Sequence, residues 1–154
     1  MMKVSRQLFA ALSALALSTF AHAADVSVPA GLAVFNANCA ACHQAGGQGM
    51  PGLAPALAST LAPMLRAEDG SRYIALVLTQ GLSGKIVSAG QTFNGAMPAQ
   101  SALSDADLAA VANYVARDLN GVAASNFTAE DMARAKGTKV AHKELRDMRA
   151  RAMP

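Results

Sequence analysis

The side chains best equipped for chemistry sit together in Cys39-Ala40-Ala41-Cys42-His43. Two thiols separated by two residues, with an imidazole directly behind the second, form the C-x-x-C-H pattern for covalent attachment of a c-type haem. On that reading Cys39 and Cys42 hold the porphyrin through thioether bonds and His43 ligates the iron. The short spacing suits one turn of helix, which carries both sulfurs to one edge of the ring and brings the imidazole under the metal. A C-x-x-C without the histidine is far less specific and also fits a thiol-disulfide redox pair, half a zinc site or a simple disulfide. These are the only 2 cysteines in the chain. In an oxidising compartment they either pair with each other or serve a cofactor. A disulfide closing so small a loop would stabilise little, because the loop-closure contribution shrinks with loop length.

The compartment follows from the other end of the argument. Lys3 and Arg6 precede a mostly apolar run from Leu8 to Phe20, and Ala21-His22-Ala23 has the small-x-small form of a cleavage site. Residues 1–23 are therefore expected to be a secretory signal peptide, giving a periplasmic protein. The apolar run is interrupted by Ser13, Ser18 and Thr19 and falls short of the roughly 20 residues a spanning helix needs, so no transmembrane anchor is expected after cleavage. Both basic residues leave with this stretch while all 10 acidic residues stay. The mature chain is then nearly neutral, without the basic, aromatic-interleaved stripe of a nucleic-acid binder. The remaining length suits one small domain, and 53% hydrophobic residues with 15% charged point to a packed chain and not a disordered one.

The elements that must position the motif can be read in order. Residues 30–42 are expected to form a helix running into the cysteines, with Val34 and Phe35 apolar. Gly31 costs about 1 kcal/mol there against alanine, which a close helix contact would explain. The stretch from Gln44 to Pro55 is too rich in glycine and proline for regular structure, and an irregular loop of that length suits a functional edge. A second helix is expected over 70–80, where Ile74, Val77 and Leu78 share a face and Gly81 can end it. Residues 84–93 fit two short extended pieces about Ala89-Gly90, and Asn94-Gly95-Ala96-Met97-Pro98 is expected to place Met97 on an irregular loop. Ser104 and Asp107 make a capping box for a third helix carrying Leu108, Val111, Ala112, Val115 and Leu119, closed by Asn120-Gly121.

Taken together, Gly31 to Gly121 resembles a class I monohaem bacterial cytochrome c. The matching features are Gly31 and Phe35 ahead of the C-x-x-C-H motif, the loop ending in Pro55-Ala56-Leu57, the Asn94-to-Pro98 segment, and the helix through Asn113, Tyr114 and Val115. The resemblance implies an all-α fold around one covalently bound haem, with the first and last helices crossing near Gly31, Phe35 and Tyr114. It also implies His43 and Met97 as iron ligands, with the Pro55 carbonyl receiving the second nitrogen of His43. Met97 is set apart from the other methionines because it precedes a proline in a glycine-containing segment and belongs to no helical stripe, whereas methionine elsewhere is a common core filler. His142, between Ala141 and Lys143, reads as a solvated surface residue.

Histidine and thioether ligands fill both axial positions, which favours one-electron transfer over substrate activation and stabilises ferrous iron. The expected protein is a carrier and not an enzyme, shuttling electrons between a dehydrogenase or respiratory complex and an oxidase or reductase. Its partners would be periplasmic redox proteins, and the chain a monomer or a subunit of a redox complex. The competing readings are a fixed electron-transfer subunit, a haem sensor or enzyme, and a thiol-disulfide oxidoreductase using Cys39. Three segments result: the signal peptide 1–23, a cytochrome c domain 24–121 and a basic helical extension 122–154. The extension carries seven basic and four acidic residues. Its helices, one capped by Thr128 and Asp131 and one carrying Val140, Leu145 and Met148, are expected to lie solvated on the domain or to dock an acidic partner.

Overall fold

A computed structural model describes residues 29–153, so the expected signal peptide lies outside the described residues. Helix α1 (Ala30–Asn38) and the single turn α2 (Ala40–His43) replace the continuous helix expected over 30–42. The break is at Cys39, whose φ of −112° departs from helical geometry while its N–H still bonds to the Phe35 carbonyl. α1 crosses the later helix α5 (Asp105–Arg117), and Gly31 makes that crossing possible. A Cβ at Gly31 would lie 2.3 Å from the Ala110 carbonyl oxygen and 2.7 Å from the Tyr114 Cβ. Phe35 is fully buried beside it, its ring centroid 5.4 Å from that of Tyr114 in a tilted pair.

After His43 the chain turns at Gln44, makes a short 3-10 turn at Ala45–Gly47 and runs irregularly to Leu61. Backbone bonds from Gly49 to His43 and from Leu57 to Gly47, both under 3 Å, hold this loop on itself. Asn120 clamps it from the far end of the domain, accepting from the Leu61 N–H and donating to the Leu57 carbonyl. Two helices follow, α3 (Ala62–Arg66) and α4 (Gly70–Gln80), the second with the span expected. α4 stops at Gly81, where φ is +76° and a Cβ would sit 2.5 Å from the Met97 carbonyl oxygen.

That contact exists because the next segment is a full hairpin. β1 (Leu82–Ser88) pairs antiparallel with β2 (Gln91–Met97), from Leu82 opposite Met97 to Ser88 opposite Gln91. Ala89 and Gly90 both have positive φ, the backbone twist a two-residue hairpin turn requires. The sheet is therefore longer than expected, and Met97 ends a strand where an irregular loop was anticipated. Threonine, phenylalanine and valine supply the β preference that outweighs the glycines of the ladder. The architecture is otherwise helical, with this hairpin as the sheet formed among the described residues.

Ser104 caps α5, its hydroxyl accepting from the Asp107 N–H at 3.0 Å. Helices α6 (Ala129–Gly137) and α7 (His142–Ala152) then pack back over α4, α5 and β1. Thr128 and Asp131 form the reciprocal capping box of α6. Met132 and Leu145 are completely buried and Met148 nearly so, in one core with Phe35, Leu76 and Leu108. The solvated-helix expectation for residues after Gly121 fails here because the three apolar residues, sparse in sequence, all point inward. His142 is likewise no free surface residue: its Nδ1 accepts from the Ser83 N–H at 3.2 Å. Gln80 adds a polar tie, accepting from Val140 and donating to the Ala135 carbonyl. No helix among the described residues is long and apolar enough to cross a membrane.

Candidate functional site

Helical backbone positions the motif. The His43 N–H bonds to the Cys39 carbonyl at 2.9 Å, closing the turn that sets both cysteines and the histidine around one short stretch of chain. Cys42 is exposed, Cys39 half-buried, and the two are not joined to each other. His43 turns inward and is 7% exposed. Its Nδ1 lies 2.9 Å from the Pro55 carbonyl oxygen. A carbonyl only accepts, so Nδ1 carries the proton and Nε2 keeps its lone pair. Burial holds this imidazole below the ordinary histidine value, with the Pro55 hydrogen bond opposing in part. A neutral ring with a fixed tautomer is the state a metal ligand needs. Of the two nearby prolines, Pro55 and not Pro51 makes the bond, because the Met50–Ala54 bridge folds the chain back before it.

One apolar pocket receives these groups. Cys39, Cys42, His43 and Pro55 line it together with Met97, the residue singled out from the sequence. α1 contributes Phe35, α4 contributes Ile74 and Val77, and α5 contributes Val111 and Val115. The hairpin supplies Leu82, Ile86 and Phe93, none of them identified from the sequence. Their signal was the alternation about Ala89-Gly90, too short to tell which face would be inward. Tyr73 and Arg149 also line the pocket and carried no sequence signal at all. A Cβ on Gly95 would meet no protein atom nearer than 3.9 Å, so the backbone offers the pocket a flat face there.

The alternatives to a haem lose ground on this geometry. No three His, Cys, Asp or Glu side chains among the described residues converge to hold a bare metal ion, so half a zinc site has no other half. A thiol nucleophile needs a lowered pKa, whereas burial and then the neighbouring Cys42 raise that of Cys39. A flat, largely apolar macrocycle needs apolar walls, thiols within reach and nitrogen or sulfur side chains in the lining. This pocket has all three.

Comparison with known proteins decides the family. The cytochrome c family model matches residues 28–117. The chain belongs to the cytochrome c family. As a member it holds one covalently bound haem c with its iron and is a haem-based electron carrier. It is similar to cytochrome c-552 of Thermus thermophilus, 39% identical over 113 residues that cover 71% of this chain and 86% of the relative. It is also similar to cytochrome c6 of Leptolyngbya boryana, 39% identical over 87 residues, 56% of this chain and 86% of the relative. Cytochrome c6 of a Picosynechococcus species is 41% identical over 103 residues, 66% of this chain and 80% of that one. The match to the cytochrome c family model ends with α5, so α6 and α7 lie beyond it.

Proposed function

We propose that the chain is a periplasmic one-electron carrier whose haem is attached through Cys39 and Cys42 and ligated by His43 and Met97. The observation that carries this reading is the convergence of His43, fixed as the neutral Nε2 donor, and Met97 on one apolar pocket. The haem iron supplies the one-electron couple; the chain's residues set how that couple behaves. Pro55 orients His43 and strengthens it as a donor. The soft Met97 thioether favours the reduced metal and raises the potential relative to a second histidine. Phe35, Ile74, Val77 and Val115 exclude water, and a dry surround favours the form of lower charge.

Electrons would enter and leave by brief, small encounters with a dehydrogenase or respiratory complex on one side and an oxidase or reductase on the other. Exposed Lys139, Lys143 and Arg151 on the outer side of the C-terminal segment favour acidic partners. Export to the periplasm rests on the signal-like residues 1–23.

The test uses the full chain expressed with haem maturation. Expected are a haem-staining band that survives denaturing electrophoresis, a weak sulfur-to-iron absorption in the oxidised protein, and no carbon monoxide binding after reduction at neutral pH. Absence of the sulfur band with ready carbon monoxide binding would replace the carrier by a sensor or enzyme. Covalent haem in a protein deleted for residues 1–23 would overturn the export argument.

A further inference from the structure

Arg149 is the one permanently charged side chain in the pocket lining, and it comes from α7, outside the stretch that matches the cytochrome c family model. It is 6% exposed. A guanidinium that deep is costly unless an anion or a full set of acceptors compensates it. No carboxylate among the described residues supplies that anion. None of the ion pairs among the described residues involves Arg149; its Nε and Nη2 lie 3.4 Å from the Val87 carbonyl oxygen, and its other neighbour is the neutral Tyr73 hydroxyl. One residue along β1, the Ser88 hydroxyl is buried with no hydrogen-bond partner. Strand alternation puts Ser88 on the same side as Ile86, which lines the pocket. Tyr73, 2% exposed, stands beside Arg149. An uncompensated cation and an unused hydroxyl thus sit near the turn end of the hairpin, both turned inward.

We infer that Arg149 and Ser88 receive a carboxylate of the bound haem, the guanidinium as counter-charge and the hydroxyl as donor. This rests on the haem reading above. A haem is apolar except for its two carboxylates, so a single buried cation in an otherwise apolar pocket matches the one kind of charge the group brings. α7 thereby becomes part of the cofactor site: it holds the carboxylate ionised and, through that charge balance, sets the potential. The other ionisable groups on the packed elements are Arg66 on α3, Arg72 and Tyr73 on α4, Lys85 on β1, and His142, Lys143, Glu144, Arg146, Asp147 and Arg151 on α7; Glu68 and Asp69 line a separate cleft with Met148 and Arg151. Asp147 is engaged with Lys143.

The experiment is the reduction potential measured against pH on the haem-loaded full chain, for wild type, Arg149→Gln, Arg149→Lys and Ser88→Ala. A haem carboxylate that loses its counter-charge binds protons more readily, so in Arg149→Gln the pH range over which the potential slopes should move upward. The potential on its alkaline side should fall, because an uncompensated negative charge favours ferric iron. Arg149→Lys should keep the wild-type range, and Ser88→Ala should shift it by less than Arg149→Gln. An unmoved range in Arg149→Gln, with haem stain and sulfur band intact, overturns the inference and leaves the haem reading standing. Should Arg149→Gln not fold, an Arg149→Lys range displaced upward, or Ser88→Ala without any shift, overturns it equally. A wild type without covalent haem overturns the haem reading itself.

Discussion

At the scale of single residues, Met97 and His43 differ in how firmly the fold holds them. His43 is locked by a helical turn on one side and the Pro55 carbonyl on the other. Met97 is half-buried at the end of β2, fixed by its pairing with Leu82 and by the close approach of its carbonyl to Gly81. A thioether is also the weaker ligand, so it should be the first lost on denaturation. Met97→Ala should abolish the sulfur-to-iron absorption completely, lower the reduction potential, and let the reduced protein bind carbon monoxide. Optical titration with a redox mediator checks all three. A surviving band would transfer the ligand role to another methionine, Met64 being buried in the core.

Element packing can be tested at Gly31, where two effects oppose. Gly31→Ala gains about 1 kcal/mol in helix propensity. The new methyl, however, meets the Ala110 carbonyl at 2.3 Å, a backbone atom that cannot rotate aside. Forcing α1 from α5 costs roughly 1–3 kcal/mol, so a net loss of about 1 kcal/mol is expected in urea unfolding. The start of α6 gives a pH-dependent counterpart. The Thr128 backbone N–H, first among its causes, holds the Asp131 carboxyl below its ordinary value of 3.8. A depressed folded pKa contributes stability that is present above the unfolded value and lost as pH falls through the folded one. Asp131→Asn should therefore flatten the acid limb of the stability curve below pH 3.8 and leave its neutral slope unchanged. Thermal unfolding across that range reads the difference.

For the molecule as a whole, the C-terminal helices belong to the same packed body as the haem pocket. Met132 has no solvent exposure, and Met132→Ala should cost about 2–5 kcal/mol by the cavity it leaves. That should appear as a lower thermal midpoint by far-ultraviolet circular dichroism. Truncation after Gly121 should do more, removing Leu145, Met148 and Arg149 at once and altering the haem spectrum along with stability. A truncated protein with wild-type melting would show α6 and α7 to be dispensable cover. Charge substitutions at Lys139 or Lys143 are the gentler probe of partner docking, since they leave the core intact.

Local chemistry was legible in the chain itself. Cys39, Cys42 and His43 lie within five residues, so covalent connectivity alone brings them together. Helix α4, the cap at Ser104 and the capping box at Thr128 and Asp131 follow from spacing and short-range hydrogen bonding in the same way. Gly31 announced a close contact by being a glycine in a helix, though not which atoms it would meet. Met97 stood out as a candidate ligand by its neighbours Gly95 and Pro98, but its seat at a strand end depends on pairing with Leu82, fifteen residues back. Pairing of that kind is settled by tertiary packing, which overrides the weak local preference of a glycine-containing segment. Arg149 lay wholly beyond sequence reading. In α7 it is one of several basic residues, and only the folding of α7 onto α4 and β1 decided that this one, and not Arg146 or Arg151, would line the pocket. A helix's periodicity fixes which residues share a face; which face meets the core depends on partners distant in the chain.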